Sequence, residues 1–209
     1  MTALWVRAFL TLFVVIDPIG LAPIFISLAN QRPIEEQAQI ARRAVLVAAA
    51  ILFVFTLVGS FLLRYLGISI EAFQVAAGIL LFKIALDMVF VQLERETPEE
   101  AQEAQQREDI SVFPLAIPLI AGPGTLASIL ILVNEADDHN WGLFIVLTIA
   151  LLVLAIAYLV LRFSSYLAKV LGQTGINVVT RVFGVLLCAL AVQYIADGSV
   201  AIIQVALKP

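Results

Sequence analysis

Apolar residues in this chain run in long blocks separated by short polar stretches, with no sustained alternation. Six blocks stand out, at about 3–29, 44–66, 70–92, 112–134, 141–163 and 178–205. A helix needs about 20 mainly apolar residues to cross about 30 Å of hydrocarbon, and each block meets that length. Backbone groups in lipid must satisfy one another within the segment, and the period-2 pattern of barrel strands is absent. The pattern therefore predicts an all-α membrane protein of six transmembrane helices.

One stretch has no apolar face. Gln92–Ile110 is polar throughout and divides the chain three spans from three. The expected organisation is a first three-helix unit over 1–91, a charged cytoplasmic linker over 92–111 and a second three-helix unit over 112–209. Composition agrees: 62% of the 209 residues are hydrophobic and 13% charged, where soluble domains carry about a quarter. The net charge of −4 offers no basic surface for nucleic acid, so the expected surroundings are a lipid bilayer. One cysteine, Cys188, and one histidine, His139, are too few for a Cys/His metal site, and no metal or cofactor is expected.

Lys and Arg near span ends set the direction of insertion. The connections after spans 1, 3 and 5 hold eight (Arg32, Arg42, Arg43, Arg95, Arg107, Arg162, Lys169, Arg181), and the opposite side holds three (Arg7, Arg64, Lys208). This bias puts the eight-residue side in the cytoplasm and both termini outside, in a bacterial-type inner membrane.

The halves also align with each other. Pro18 matches Pro123 and Arg64-Tyr65-Leu66-Gly67 matches Lys169-Val170-Leu171-Gly172, both 105 positions apart. Gly78-Ile79-Leu80-Leu81 matches Gly184-Val185-Leu186-Leu187 at 106. Three spans per half make the second half enter from the opposite side, which is the inverted-topology repeat of many secondary transporters.

Within this frame, spans 1 and 4 carry the candidate chemistry. Asp17-Pro18-Ile19-Gly20 and Gly122-Pro123-Gly124-Thr125 fall near their middles. Proline in a helix interior costs about 3 kcal/mol and glycine adds backbone freedom, so helices 1 and 4 are expected to break near the bilayer midplane. Each break frees N–H groups at a positive dipole end and carbonyls at a negative one. Facing breaks would offer donors to a carboxylate and acceptors to an ammonium, so these eight residues are the expected substrate site and a small zwitterion the expected solute. Asp17 suits a helix N-cap, and equally a ligand for an ammonium or a carrier of H+. Pro23, Pro114 and Pro118 read as kinks or packing features.

Charges within spans are costly and mark function or pairing. Lys83 and Asp87 are four residues apart and share one helical face, which predicts mutual neutralisation toward the bundle interior, with ion coupling as the other reading. Asp17, Lys83 and Asp87 are thus the candidate ion-coupling residues. Glu71 and Glu135 are expected at the interface.

The strings IDPIGLAPIFISL (Ile16–Leu28) and FPLAIPLIAGPGTLASIL (Phe113–Leu130), with six spans and a charged central loop, resemble the MarC family, also called the small neutral amino acid transporter family. The resemblance covers essentially the whole chain. It implies an inner-membrane protein of a family in which some members move glycine or alanine, with protons as the implied coupling ion, and it carries the motif positions Asp17 to Gly20 and Gly122 to Thr125. The function expected is a secondary transporter of small neutral amino acids working by alternating access. The rivals are a channel or exporter for another small solute, and a scaffold role. An enzyme is not expected: Asp17 with Asp87 is the one pair of carboxylates an intramembrane aspartyl protease could use, and no Gly-x-Gly-Asp string accompanies it.

Overall fold

A computed structural model describes residues 2–29, 32–90, 109–136 and 141–207. The linker expected over 92–111 falls mostly outside the described residues, as do His139, Arg95, Arg107 and Lys208.

The described residues are helical, without strands: α1 (Thr2–Ile16), α2 (Pro18–Ala29), α3 (Ile34–Tyr65), α4 (Ile70–Phe90), an irregular segment α5 (Ser111–Ile120), α6 (Pro123–Glu135), α7 (Gly142–Arg162) and α8 (Ser164–Ala206). Among them, five helical stretches are long and apolar enough to cross a membrane. A sixth exists if α5 and α6, bent 50° at their junction, are taken as one. Large apolar side chains such as Phe53, Phe61, Val185 and Ile203 are exposed, the arrangement a lipid solvent favours.

Two elements extend beyond their expected bounds. The helix expected over 44–66 begins at Ile34, because no breaker lies between Pro33 and Val45 and the polar first turns, with Glu35 and Glu36, solvate themselves. Gln37 in that extension donates to the carbonyls of Ala29 and Arg32 at 3.0 and 2.9 Å, satisfying acceptors left over where α2 ends. The helix expected over 178–205 extends back to Ser164, interrupted at Gly172, whose φ of 62° only glycine adopts cheaply. Gly67, after α3, has φ 70°.

The first half of span 4 corrects the expectation of an ordinary helix with kinks. Pro114 and Pro118 follow cis peptide bonds, and Phe113 and Ile117 before them are extended, at φ/ψ of −128/125° and −127/126°. Residues preceding proline are pushed out of the helical region, and two prolines four apart do this on successive turns. What remains are wide turns, in which Leu115 N–H reaches the Ile110 carbonyl at 3.4 Å and Ala121 N–H the Ala116 carbonyl at 2.8 Å.

Helix α4 packs along α8, and two glycines set the distance. A Cβ on Gly78 would lie 2.7 Å from the Ala191 carbonyl oxygen and 2.6 Å from the Ile195 side chain. A Cβ on Gly184 would lie 3.1 Å from the Ala85 carbonyl oxygen and 2.9 Å from Met88 and Val89. The helices therefore run antiparallel with bare backbone on each side, the close packing on which membrane helices rely. Helix α7 packs on α1 and α2, α3 packs on α5 and α6, α8 also meets α2, and α4 also meets α6.

Candidate functional site

Asp17 lies between α1 and α2 and is the one described non-glycine residue with positive φ, at 45°. Aspartate tolerates that region better than most side chains. Its backbone keeps the chain helical on both sides: Asp17 N–H donates to Phe13 at 3.1 Å, and Leu21 N–H donates to Asp17 at 3.1 Å. The carboxylate accepts the Gly20 N–H at 3.0 Å, an N-cap on α2 with Pro18 at the first helical position. A Cβ on Gly20 would sit 2.0 Å from Asp17 Oδ2, so glycine there makes room for the cap. The interruption of span 1 is one residue wide, narrower than an unwound segment.

The interruption of span 4 is built differently. Gly122 is extended (φ −77°, ψ 172°) and Pro123 opens α6. A Cβ on Gly122 would be 2.2 Å from the Pro118 carbonyl oxygen, so the wide turn of α5 closes against bare backbone. Thr125 donates its hydroxyl to the Ile120 carbonyl at 2.9 Å, supplying across the bend a donor that the helix ladder lacks.

Both interruptions border one cleft of about 310 Å³, lined by Asp17 with Val15 and Ile16, by Lys83, Ile84 and Asp87 of α4, by Pro118 and Leu119, and by Gly122 to Thr125. This volume is at the small end of the range for small-molecule sites, about 300–1,000 Å³. Of the residues singled out by sequence, Asp17, Lys83, Asp87, Gly122, Pro123, Gly124 and Thr125 share this wall. Pro18, Ile19 and Gly20 do not line it; Pro18 and Gly20 are buried behind it. The spacing of Pro118 four residues before Gly122 is the signal by which its place on the wall could have been found. Val15, Ile16, Ile84 and Leu119 carry no such signal, being apolar residues in apolar spans.

The ion pair of α4 departs from expectation. Lys83 Nζ is 4.0 Å from Asp87 Oδ2, and the lysine side chain is 81% exposed, so the pair does not turn into the bundle interior. It stands at the open side of the cleft, because the inward face of α4 is taken by Ala77, Leu81, Ala85 and Met88 packed on α8 and α6. Asp17, by contrast, is 3% exposed. The site thus sets a deep carboxylate against a shallow, loosely paired ammonium and carboxylate. Groups of three or more His, Cys, Asp or Glu able to hold a metal are absent among the described residues.

The sequence profile of the MarC family integral membrane proteins matches residues 2–203. The UPF0056 membrane protein MJ1677 of Methanocaldococcus jannaschii is 38% identical over 195 residues, covering 93% of this chain and 95% of that protein. The UPF0056 membrane protein YhcE of Escherichia coli is 35% identical over 194 residues, 92% of this chain and 90% of that protein. YvbG of Bacillus subtilis, another UPF0056 membrane protein, is 35% identical over 197 residues, 92% of each. No solved structure matches the chain.

Proposed function

From the premise that the chain belongs to the MarC family of multi-pass integral membrane proteins, we propose that it is a secondary transporter of small neutral amino acids, glycine or alanine in size. The observation that carries this reading is the single cleft shared by both helix interruptions and holding Asp17, Lys83 and Asp87. A zwitterion needs an anion and a cation recognised within a few ångströms. The first turn of α6 with Lys83 offers positive potential to a carboxylate, and Asp17 with Asp87 offers acceptors to an ammonium. Two carboxylates against one ammonium leave the cleft one charge negative when all are ionised, so a neutral solute binds there with a proton, which is the coupling proposed.

The inverted repeat is part of the same reading. Helices α2 and α6 begin 105 residues apart, as do the positive-φ glycines Gly67 and Gly172. The α4–α8 contact is reciprocal at an offset of 106: Gly78 meets Ala191 and Ile195, and Gly184 meets their counterparts Ala85 and Val89. Such a self-complementary contact is what a two-fold axis across the helix pair would generate. Packing of α7 on α1 and α2 likewise has its counterpart in α3 on α5 and α6. With α5 and α6 as one span there are six, and the Lys and Arg bias puts the end of the molecule bearing Arg43 and Asp109 in the cytoplasm. The charges of the cleft do not obey the repeat: the positions matching Lys83 and Asp87 are Ala189 and Gln193. The charged side chains of the proposed recognition are therefore all in the first half, while the second contributes the first turn of α6.

Counterflow in proteoliposomes tests the proposal. Glycine or alanine inside the vesicle should drive uptake of its labelled form, and a pH gradient should raise the plateau. A carrier shows counterflow and a pore does not. Absence of flux for every small amino acid, with and without a pH gradient, would end the substrate assignment.

A further inference from the structure

The residues lining the cleft lie at the two interruptions and mainly to one side of them. From the interruptions it extends along Lys83 and Asp87 of α4 and Pro118 and Leu119 of α5, toward the end of the molecule that carries Asp109. Residues 2–14 of α1, 126–135 of α6 and α8 contribute nothing to its wall. On that other side Val14, Ala127, Ile131 and Tyr194 are buried in one apolar cluster that joins α1, α6 and α8 and is shared with Ala77, Leu81, Ala85 and Met88 of α4. Beyond this plug, Arg7 Nη2 meets Glu135 Oε1 at 2.8 Å, joining residues 128 positions apart and tying the outer end of span 1 to the outer end of span 4. Both side chains are partly exposed, at 49% and 27%, and Glu135 Oε2 is buried without a hydrogen bond among the described residues. Asp197, held by Gln193 at 2.7 Å, adds a negative charge near Glu135.

We infer that the Arg7–Glu135 pair is the lock of a gate that closes the membrane face opposite the cleft's mouth, with Val14, Ala127, Ile131 and Tyr194 as the plug beneath it. The inference rests on the alternating-access reading above, and it names the elements whose separation would open the second face. These are the outer halves of the two interrupted spans, α1 and α6, which the interruptions at Asp17 and Gly122 divide from α2 and α5. Charge selects this pair. Among the described residues Arg7 is the cation paired with Glu135, and the neighbouring Asp197 repels Glu135 once Arg7 withdraws. The repeat-related positions on the cleft's own face are Val112 and Asn30, neither of them charged, so the pair has no counterpart at those positions. A partly exposed ion pair contributes little to fold stability, which suits a contact that must break in every cycle.

Side-specific labelling tests the lock without a transported solute, so its failure is separable from failure of the substrate assignment. Val15→Cys in a Cys188→Ala background places a thiol on the cleft wall. A membrane-impermeant maleimide should label it rapidly from the Asp109 side and slowly from the Arg7 side, in vesicles of the two orientations. Arg7→Glu should speed labelling from the Arg7 side at least about fivefold, and Arg7→Glu with Glu135→Arg should return it to the parental rate. Arg7→Gln, which keeps bulk and loses only the charge, carries the same test where the reversal impairs insertion and should give a smaller acceleration. Unchanged Arg7-side labelling in both single variants, or a swapped pair as fast as Arg7→Glu alone, would overturn the inference.

Discussion

The carboxylate of Asp17 occupies the space that a methyl group on Gly20 would fill, with Oδ2 2.0 Å from the position of that Cβ, while Oδ1 accepts the Gly20 N–H at 3.0 Å. At the positions 105 residues later the residue types are exchanged: Gly122 follows Asp17 at that offset, and Thr125, at the same offset from Gly20, donates its hydroxyl to the Ile120 carbonyl. Each interruption thus has one side chain that hydrogen-bonds to backbone and one glycine that takes a close approach, of the Asp17 carboxylate at Gly20 and of the Pro118 carbonyl at Gly122.

Gly20→Ala should expel the Asp17 carboxylate and destabilise the protein by about 1–3 kcal/mol, as overpacking at a closed site does. Asp17→Ala should cost about 0.5–2 kcal/mol through the lost cap. Because the two changes break the same contact, the double variant should fall well short of their sum. Thermal unfolding in detergent measures all three, and additive costs would show that the cap is not the shared cause.

Asp17→Asn separates cap from ligand. Asparagine accepts the same hydrogen bond and tolerates positive φ, so stability should stay within about 0.5 kcal/mol of the parent. On the proposed function, any rise in unfolding temperature produced by glycine or alanine should shrink, because the charge proposed to meet the ammonium is gone. An undiminished ligand response would confine Asp17 to capping.

Glycines 78 and 184 should behave as a pair. Each faces backbone of the opposite helix, so Gly78→Val and Gly184→Val should each cost about 1–3 kcal/mol and agree more closely with each other than with Gly172→Ala. At Gly172 no atom lies within 4 Å of the added Cβ, and only the φ of 62° opposes the change, at about 1–2 kcal/mol. A small effect at either Gly78 or Gly184 with a large one at the other would contradict the reciprocal contact.

Asp109 should lend the protein acid sensitivity at the start of α5. Its carboxylate accepts from the Ser111 hydroxyl and from the Ser111 N–H at 3.1 Å, and it pairs with Arg43 at 2.9 Å. The Ser111 hydroxyl, with help from the backbone and Arg43, holds its pKa below the ordinary 3.8, against the opposing effect of burial. A depressed folded-state pKa means that the stabilisation is present above the ordinary value and is lost as pH falls through the lower folded one. Asp109→Asn should therefore lower the unfolding temperature at neutral pH and flatten its decline in acid. Parallel curves for parent and variant would dismiss the contact.

Much of the architecture is legible along the chain because its causes are local. A run of about 20 apolar residues must cross lipid as a helix whatever surrounds it. A proline lacks its N–H in any fold, so the interruptions at Asp17-Pro18 and Gly122-Pro123 could be placed before any contact was known. The same local rule underestimates α5, because the combined effect of Pro114 and Pro118 on Phe113 and Ile117 depends on their spacing. Which face each helix turns inward could not be read this way. In soluble helices the apolar stripe marks the core, but here lipid is as apolar as the interior, and α4 carries leucine and isoleucine on every side.

Tertiary structure alone therefore decided that Lys83 stands at the mouth of a cleft and not inside the bundle, and that Pro118 shares a wall with Asp17. It also decided that Arg7 finds Glu135 across 128 positions. Such outcomes depend on which helices approach and at what distance, which is fixed by glycines such as Gly78 and Gly184 meeting backbone far away in sequence. Solvent and hydrogen-bond satisfaction act residue by residue and are written in the chain; the choice of neighbours is a property of the assembled bundle.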